Sequence, residues 1–536
     1  MPCFDVDGAA LQAIDLIASR LSGITYLLQR IFDCYTSLKK LVRRKRSKAA
    51  PSAPANGPFT GGAFAPLSPH DRDAIIEHAF SILGTVGIAD APNWLRDQLL
   101  ELGARKRADG RIVFPQAMVD RALQRASKRV SLPGFDENRG IDVGGGVVHI
   151  GTGGAAVQTL DSATGVYRDS TLQDLYRATR VLDQCNNVHY GVRLLVARDM
   201  PSPLDLDINT AFACLRATSK PIGVSFDNAS HVAPVCQLFD LALQREQGFR
   251  KHPFCFAVIV HAVSPLKYAA EGVDIMRAAI VAGMPLQICT AAQAGATSPA
   301  ALAGALAQGL AESIAGLLVV DALKPGHPCI FAFMPFISDL RTGAMSGGGG
   351  EAAIANAAAA QLLRALDLPG TVSAGMTDSK LQDAQAGYEK GYTIALAAHA
   401  GADMINLSVG MLGSIMVASP ESLVIDDDMC GAILRSVRGI EIGADTLDLA
   451  AIERVVAGDG HYLGETHTLK LMKTEYVYPA LGDRQSVADW LEAGAESIWQ
   501  RAQRRVDTLL RETRPDHLPV HAEQAIRAQF DIHLPE

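Results

Sequence analysis

No two of the nine cysteines (Cys3, Cys34, Cys185, Cys214, Cys236, Cys255, Cys289, Cys329 and Cys430) stand in a CxxC spacing. An odd, scattered set reads as buried thiols in a reducing cytoplasm and excludes a disulfide framework or a zinc cluster. The chain has no P-loop, HExxH or GxSxG, so the phosphate-cradling, zinc-peptidase and serine-hydrolase signatures are missing. Gly144-Gly145-Gly146 and Gly151-Thr152-Gly153-Gly154 are glycine-rich, but neither supplies the GxGxxG that a dinucleotide site requires. A Rossmann-type nicotinamide or S-adenosylmethionine site is therefore not expected. The head lacks the charged-then-apolar order of a secretory signal. The longest apolar stretch, Ala300–Leu323, is broken by Gln308, Glu312 and Asp321, which suits a helix inside a soluble protein rather than a membrane span.

What is present is a globular composition: 536 residues, 48% apolar and 20% charged, with a formal charge of −8. The first fifty residues hold nine basic and four acidic side chains, which leaves −13 on the rest. An acidic body argues against nucleic-acid binding. Leu11, Ile14, Ile17, Ala18 and Leu21 form one helical stripe in the head, followed by a basic run from Lys39 to Lys48. Residues 1–64 read as a basic head and a Pro/Ala/Gly linker without fixed structure, the basic run being a solvated tail. Residues 65–140 read as a helical region, with Ser68 as a cap before Asp71.

From about residue 141 the pattern changes to short apolar runs alternating with helical stretches. The runs are Val147–Ile150, Val188–Leu194, Pro221–Phe226, Phe254–Val260, Pro285–Cys289, Pro328–Phe333, Gly370–Gly375 and Asp403–Leu407. Helical stretches lie between them, among them Thr171–Leu182, Ile208–Ala217, Ala300–Ala322 and Asp383–Ala402. Eight strand–helix repeats over residues 141–440 predict an α/β fold, a (β/α)₈ TIM barrel. An open doubly wound sheet is the alternative topology. Residues 441–536 return to charged, helical patterning and are expected to pack on the barrel as an extension.

In such a barrel the chemistry sits at the C-terminal ends of the strands. Those ends offer Gly151-Thr152-Gly153-Gly154, Arg193, Ser225-Phe226-Asp227, His261, Thr290 with Gln293, Phe331 with Phe333, Met376-Thr377-Asp378 and Ser408, a set short of acid–base machinery. Three phenylalanines and a methionine converging there suit a substrate recognised through face and shape, including a quaternary ammonium held by cation–π attraction. The competing reading makes Phe331 and Phe333 core residues, and apolar periodicity leaves both open. Gly347–Gly350 reads as a mobile loop over the mouth. Asp378, Lys380 and Asp383 read equally as a capping cluster at the start of the seventh helix. Asp426-Asp427-Asp428 resembles a metal cluster, but successive carboxylates on one helix point in different directions. No metal site is expected. Asp459-Gly460-His461-Tyr462-Leu463-Gly464 fits the DxHxxG spacing of a corrinoid-ligating histidine, yet no doubly wound domain follows it, so it reads as a coincidence.

Several ordered motifs carry a resemblance. Gly375 to Lys390, Asp339 to Ala344, Leu423 to Asp427, Arg438 to Glu441, and Gly460 to Gly464 with His467-Thr468 resemble stretches of the trimethylamine methyltransferase family. The resemblance runs from about residue 42 to the C-terminus. It implies a (β/α)₈ barrel that moves a methyl group from an amine to the Co(I) centre of a separate corrinoid protein. No cofactor is then bound by the chain itself; the corrinoid (cobalamin) is presented by the partner. Founding members carry pyrrolysine in the loop after the seventh strand, near the position of Met376, whereas this loop has ordinary residues throughout. The chain is in that respect similar to the non-pyrrolysine, glycine betaine methyltransferase-like branch. The strand ends, read together with that resemblance, give Met376 and Asp378 as the expected catalytic residues. The expected substrate-binding residues are Arg193, Phe226, His261, Gln293, Phe331, Phe333 and Thr377 from the strand ends, and Tyr388 from the stretch that carries the resemblance.

The chemistry agrees with a missing electrophile. A quaternary amine is already cationic, so displacement of one methyl releases a neutral tertiary amine and needs no general base. The protein then has to hold the cation, aim a methyl outward and exclude water. A betaine carboxylate would want a donor, which Arg193, His261, Gln293 or Thr377 can provide. Trimethylamine, proline betaine and carnitine are alternative methyl donors, and a non-catalytic betaine-binding protein or an unrelated barrel lyase is an alternative function. No nucleic-acid or membrane partner is expected. The Ala-rich stretch Glu351–Leu366 would permit close subunit contact in a homo-oligomer.

Overall fold

The computed structural model describes residues 59–458 and 460–535. The basic run and nearly all of the expected head and linker lie outside the described residues. Eight parallel strands form one sheet: β1 (His149–Thr152), β2 (Gly191–Val192), β3 (Ile222–Val224), β4 (Cys255–Val260), β5 (Leu286–Thr290), β6 (Cys329–Phe333), β7 (Gly370–Ser373) and β8 (Met404–Val409). Each pairs with its sequence neighbours, and β8 returns to β1 with Met404 opposite His149. A parallel bridge between Gly151 and Tyr190 joins β1 to β2 and closes the barrel. All eight apolar runs thus become the eight barrel strands. The second is the shortest, because only Gly191 and Val192 of Val188–Leu194 join the ladder.

The crossovers are α1 (Leu172–Asp183), α2 (Pro203–Ala217), α3 (Val232–Ala242), α4 (Ala270–Ala282), α5 (Leu302–Leu323), α6 (Gly350–Ala365), α7 (Ala384–Ala400) and α8 (Pro420–Arg438). Their starts follow local chemistry. Thr171 and Asp174 form a capping box on α1, Ser202 caps α2 with Pro203 in its first turn, and Ser419 caps α8. Ser202 and Pro203 explain why α2 begins five residues before the apolar periodicity at Ile208. Helix α5 is long and apolar enough to cross a membrane, but 89% of its most apolar window is buried inside the protein.

Strand pleating separates two apolar layers. Leu286, Ile288, Phe331 and Phe333 face the helices, while Ile330, Ala332 and Met334 face the barrel interior with Cys289. The bottom of the barrel is plugged by a hairpin of Val130–Leu132 and Ile141–Val143, whose apolar side chains meet Tyr190, Phe256, Ile330 and Met404. Residues 65–140 are therefore not purely helical. Besides the helices Pro69–Ser81, Asn93–Glu101 and Gln116–Arg125 they contain one strand of that plug and the small hairpin Arg105–Lys106 with Ile112–Val113. At the opposite end, short strands in the loops after β1, β5, β6 and β8 build two small sheets around the mouth. The Ala-rich helix α6 is spent inside the chain: seven of its alanines are buried. It leaves no small-residue face for a subunit contact.

Candidate functional site

A cavity of about 540 Å³ opens at the C-terminal ends of the strands. Its walls come from the ends of β2, β3, β4, β6 and β8 and from the first turns of α4. Arg193, one residue past β2, lines it, and among the described residues no group hydrogen-bonds its side chain; its Nε is buried and unpartnered. Burial holds its pKa below the ordinary arginine value, against the opposing charge of Asp207. The same cavity is lined by Asp227, three residues past β3, and Glu271 in the first turn of α4. Both carboxylates are exposed, and neither makes an ion pair with Arg193. Phe226 supplies the one aromatic ring in the wall, and Val258, Cys289 and Met334 the apolar floor.

The backbone that shapes this cavity is strained. Leu407 has φ +57° and Ala155 has φ +62°, left-handed values that cost side-chain-bearing residues about 1 kcal/mol or more. Leu407 lies in the bulge where the β8 register slips between Ile405 and Val409, and the Asn406 carboxamide accepts its backbone N–H at 2.9 Å. Asp207, on α2, holds the β3 loop in place. Its Oδ2 accepts from Asp227 N at 2.9 Å and lies 2.7 Å from His231 Nδ1. Burial raises the Asp207 pKa despite those contacts.

A second polar cluster knits together the loops after β6, β7 and β8. The Asp378 carboxylate accepts from Gly347 N at 2.8 Å, Ser346 Oγ at 3.0 Å and Ser414 Oγ at 2.5 Å. Glu389 on α7 accepts from Thr377 Oγ1 at 2.5 Å and from Asp378 N at 2.8 Å, and Tyr392 donates to the Gly348 carbonyl. Gly375 makes the turn into this loop at φ +95°, where a Cβ would lie 2.5 Å from Ser408. Below it the buried Lys390 ammonium meets Asp426 at 2.6 Å.

Of the residues expected to bind or react, only Arg193 and Phe226 line the cavity; Gly154, Ser225 and Asp227, read as strand ends without a role, line it with them. Phe331 and Phe333 do not: strand parity turns them onto the helical layer, where the Phe333 ring lies so close to Gly309 that a Cβ there would be 2.4 Å away. His261 follows the same parity. It is fully buried, its Nε2 lies 3.0 Å from the Glu312 carbonyl, and burial pushes its pKa down to about 4. Thr377 is committed to Glu389, Met376 is buried under Gly347, and Tyr388 is exposed on the outer side of α7. Gln293 sits in the small sheet with Phe336, outside the cavity wall. The cap of α7 is Asp383, not Asp378.

Gly347–Gly349 is a loop as expected, tied to Asp378 by its backbone. The aspartate triplet divides its work: Asp426 pairs with Lys390, Asp427 accepts from Asn187 N, and Asp428 accepts from the backbone N–H groups of Ala480, Leu481 and Gly482. Among the described residues no group of three or more metal-ligating side chains exists. Asp459 of the DxHxxG pattern lies outside the described residues. Sequence reading named Asp227 among the strand ends without giving it a role, and it missed Glu271, whose signal was position alone, at the start of the helix that follows β4.

Comparison with known proteins places this geometry in context. The family model described as trimethylamine methyltransferase matches residues 39–532. A glycine betaine methyltransferase of Desulfitobacterium hafniense (strain Y51) is 28% identical over 460 residues, which are 85% of this chain and 94% of that protein. Trimethylamine methyltransferase MttB of Desulfitobacterium hafniense (strain DSM 10664 / DCB-2) is 27% identical over 469 residues, 87% of this chain and 94% of that protein. The crystal structure of the Methanosarcina barkeri monomethylamine methyltransferase is a looser likeness. Its TM-score is 0.46 at 10% identity, covering 82% of this chain and 92% of that one.

Proposed function

Because this chain belongs to the trimethylamine methyltransferase family, we propose that it moves a methyl group from a small quaternary amine bearing a carboxylate, of the glycine betaine kind, to the Co(I) of a corrinoid held by a separate protein. Family membership makes it a methyltransferase; the substrate and the acceptor are the proposal. One observation carries it: Arg193, whose side chain has no hydrogen-bond or ion-pair partner among the described residues, lines one cavity together with two unpaired carboxylates, Asp227 and Glu271.

That arrangement is complementary to a zwitterion. Arg193, half-buried and with no partner for its Nε, receives the substrate carboxylate by charge-assisted hydrogen bonds. Asp227 and Glu271 attract the ammonium end, and the Phe226 ring face adds a cation–π contact. Both carboxylates are exposed, so water screens them. This matters because the ammonium loses its charge as the methyl departs. A tight buried ion pair would stabilise the substrate more than the transition state and slow the step. Screened carboxylates capture and orient at little such cost.

The nucleophile is the acceptor's Co(I): its electron pair takes the methyl carbon as the C–N bond breaks, leaving methyl-cobalt and a neutral dimethylamino product. No proton moves, which agrees with a wall that has no histidine. Met376, Thr377 and Asp378 act by fixing the loops after β6 to β8 around the mouth, with Asp378 as the joining carboxylate. The family's pyrrolysine has no counterpart in this loop, and a quaternary substrate does not require one. Six of the seven described cysteines are buried and all seven are free thiols, which supports a reducing, cytoplasmic setting.

The test is methylcobalamin formation with a Co(I) acceptor across a panel of amines. Glycine betaine and its carboxylate-bearing relatives should react and trimethylamine should not. Turnover of trimethylamine alone would overturn the substrate reading, and betaine binding without any methylcobalamin would make the protein a betaine binder.

A further inference from the structure

The segment from 440 to 478 carries apolar surface that nothing among the described residues covers. Twelve large apolar or aromatic side chains there are 41–88% exposed, among them Ile440, Ile442, Leu449, Val456, Leu463 and Tyr476. On the helix Leu449–Ala457, Leu449, Ile452 and Val456 recur at i, i+3 and i+7 and form one outward stripe, while Ala451 and Val455 face in. The segment is nevertheless ordered against itself. Arg454 pairs with Glu465 at 3.1 Å and His467 with Asp448 at 2.9 Å, which ties this helix to the following one, Thr466–Leu471. It is thus a built helical arm with its apolar face turned outward.

Its position restricts what can cover it. Helix α8 starts beside the mouth at Pro420 and runs down the barrel, ending at Arg438 on the face where the strands begin. The arm leaves from that end and is anchored there again, where Arg435 and Arg438 both bind Glu475 at 2.7 Å. A macromolecule that reaches the cavity docks at the other end of the barrel, so the arm is not its seat.

We propose that this arm is a self-association surface, covered by a second copy of this chain. Twelve such side chains at these exposures present on the order of 1,000 Å² or more. The largest apolar patch of a typical monomer is about 300–600 Å². A stable interface needs about 800 Å² per partner, and a lasting homo-oligomer contact is the apolar kind. A closed symmetric pair supplies an identical apolar face without a further partner. The surface is independent of the amine and the acceptor, so it stands or falls apart from the function proposed above.

The experiment is the mass of the full chain in solution, by light scattering at micromolar concentration, compared with the triple variant Leu449→Ser, Ile452→Glu, Val456→Glu. The wild type should be a dimer or larger. The variant should be a monomer, or one association step smaller, with an unchanged circular dichroism spectrum. A second measurement does not depend on that variant: Val456→Cys should give a bismaleimide cross-link between two copies, whereas Val281→Cys, equally exposed on α4, should not. A monomeric wild type, or a triple variant with unchanged mass, overturns the proposal. So does a triple variant that keeps its mass but loses binding of the corrinoid protein, which would make the arm that protein's seat.

Discussion

Asp207 is the carboxylate whose charge acts on Arg193, yet no hydrogen bond joins them. Asp207 spends its Oδ2 on Asp227 N and His231, while its Oδ1 and the Arg193 Nε are both buried without a partner. A buried guanidinium N–H left unsatisfied is costly by itself. The arrangement makes sense once an anionic group of a ligand completes it.

Arg193→Met should therefore weaken glycine betaine binding by about 2–3 kcal/mol, the worth of charge-assisted hydrogen bonds. Choline, which has the ammonium but no carboxylate, should bind both proteins alike. Titration calorimetry with the two ligands separates the cases, and equal losses for both would remove Arg193 from carboxylate recognition.

The phenylalanines should divide by their effect on the ligand. Phe333→Ala empties a packed space against Gly309 and should destabilise the fold by about 3–5 kcal/mol, with ligand affinity in the surviving folded protein unchanged. Phe226→Ala removes a ring that is buried in the same core and also lines the cavity, so it should lower stability as well and, in the surviving folded protein, weaken the quaternary amine by about 1 kcal/mol. Denaturant titrations paired with binding isotherms measure both.

Asp378 is an acceptor for four donors from two loops, so its charge matters less than its oxygens. Asp378→Asn, which keeps one acceptor oxygen, should retain more activity than Asp378→Ala. The alanine variant should also speed hydrogen exchange in residues 345–349 and 411–416. Equal loss in both variants, with no change in exchange, would mark Asp378 as chemically active rather than as a tie between loops.

The Lys390–Asp426 pair is fully buried. Lys390→Met leaves Asp426 unpaired in the interior and should destabilise the fold by about 3–5 kcal/mol. Lys390→Met combined with Asp426→Asn removes the stranded charge and should recover part of that loss. Urea midpoints of the single and double variants give the coupling.

Burial lowers the pKa of His261 to about 4, while an unfolded histidine titrates near 6.5. The folded protein keeps the ring neutral as the unfolded chain takes up a proton, so this stability is present above pH 6.5 and is lost as the pH falls toward 4. At pH 5 the difference is about 2 kcal/mol. His261→Gln should accordingly lose about that much less stability than the wild type between pH 7 and pH 5 in parallel denaturant titrations.

The barrel was legible because its signal repeats. Eight apolar runs, each followed by a helical stretch, leave few ways to fold, and every run became a strand. Caps such as Thr171 with Asp174 are local chemistry and can be read from a few residues. The ordered motifs likewise sufficed for the family. Arg193 and Phe226 were legible as site residues because they follow strand ends directly.

The facing of each strand was not legible. In a parallel barrel both faces are apolar, one toward the interior and one toward the helices, so the alternation that would reveal an inward side chain is missing. Hence Phe331, Phe333 and His261 read as mouth residues from the sequence and became layer residues in the fold. Nor does spacing along the chain bring Arg193, Asp227 and Glu271 together, since they belong to three successive strand–helix units. The linear order of residues settled the number of repeats and the lineage. Closure of the sheet decided which charges share a cavity and remain unpaired, because only closure sets the register that aims one residue inward and its neighbour out.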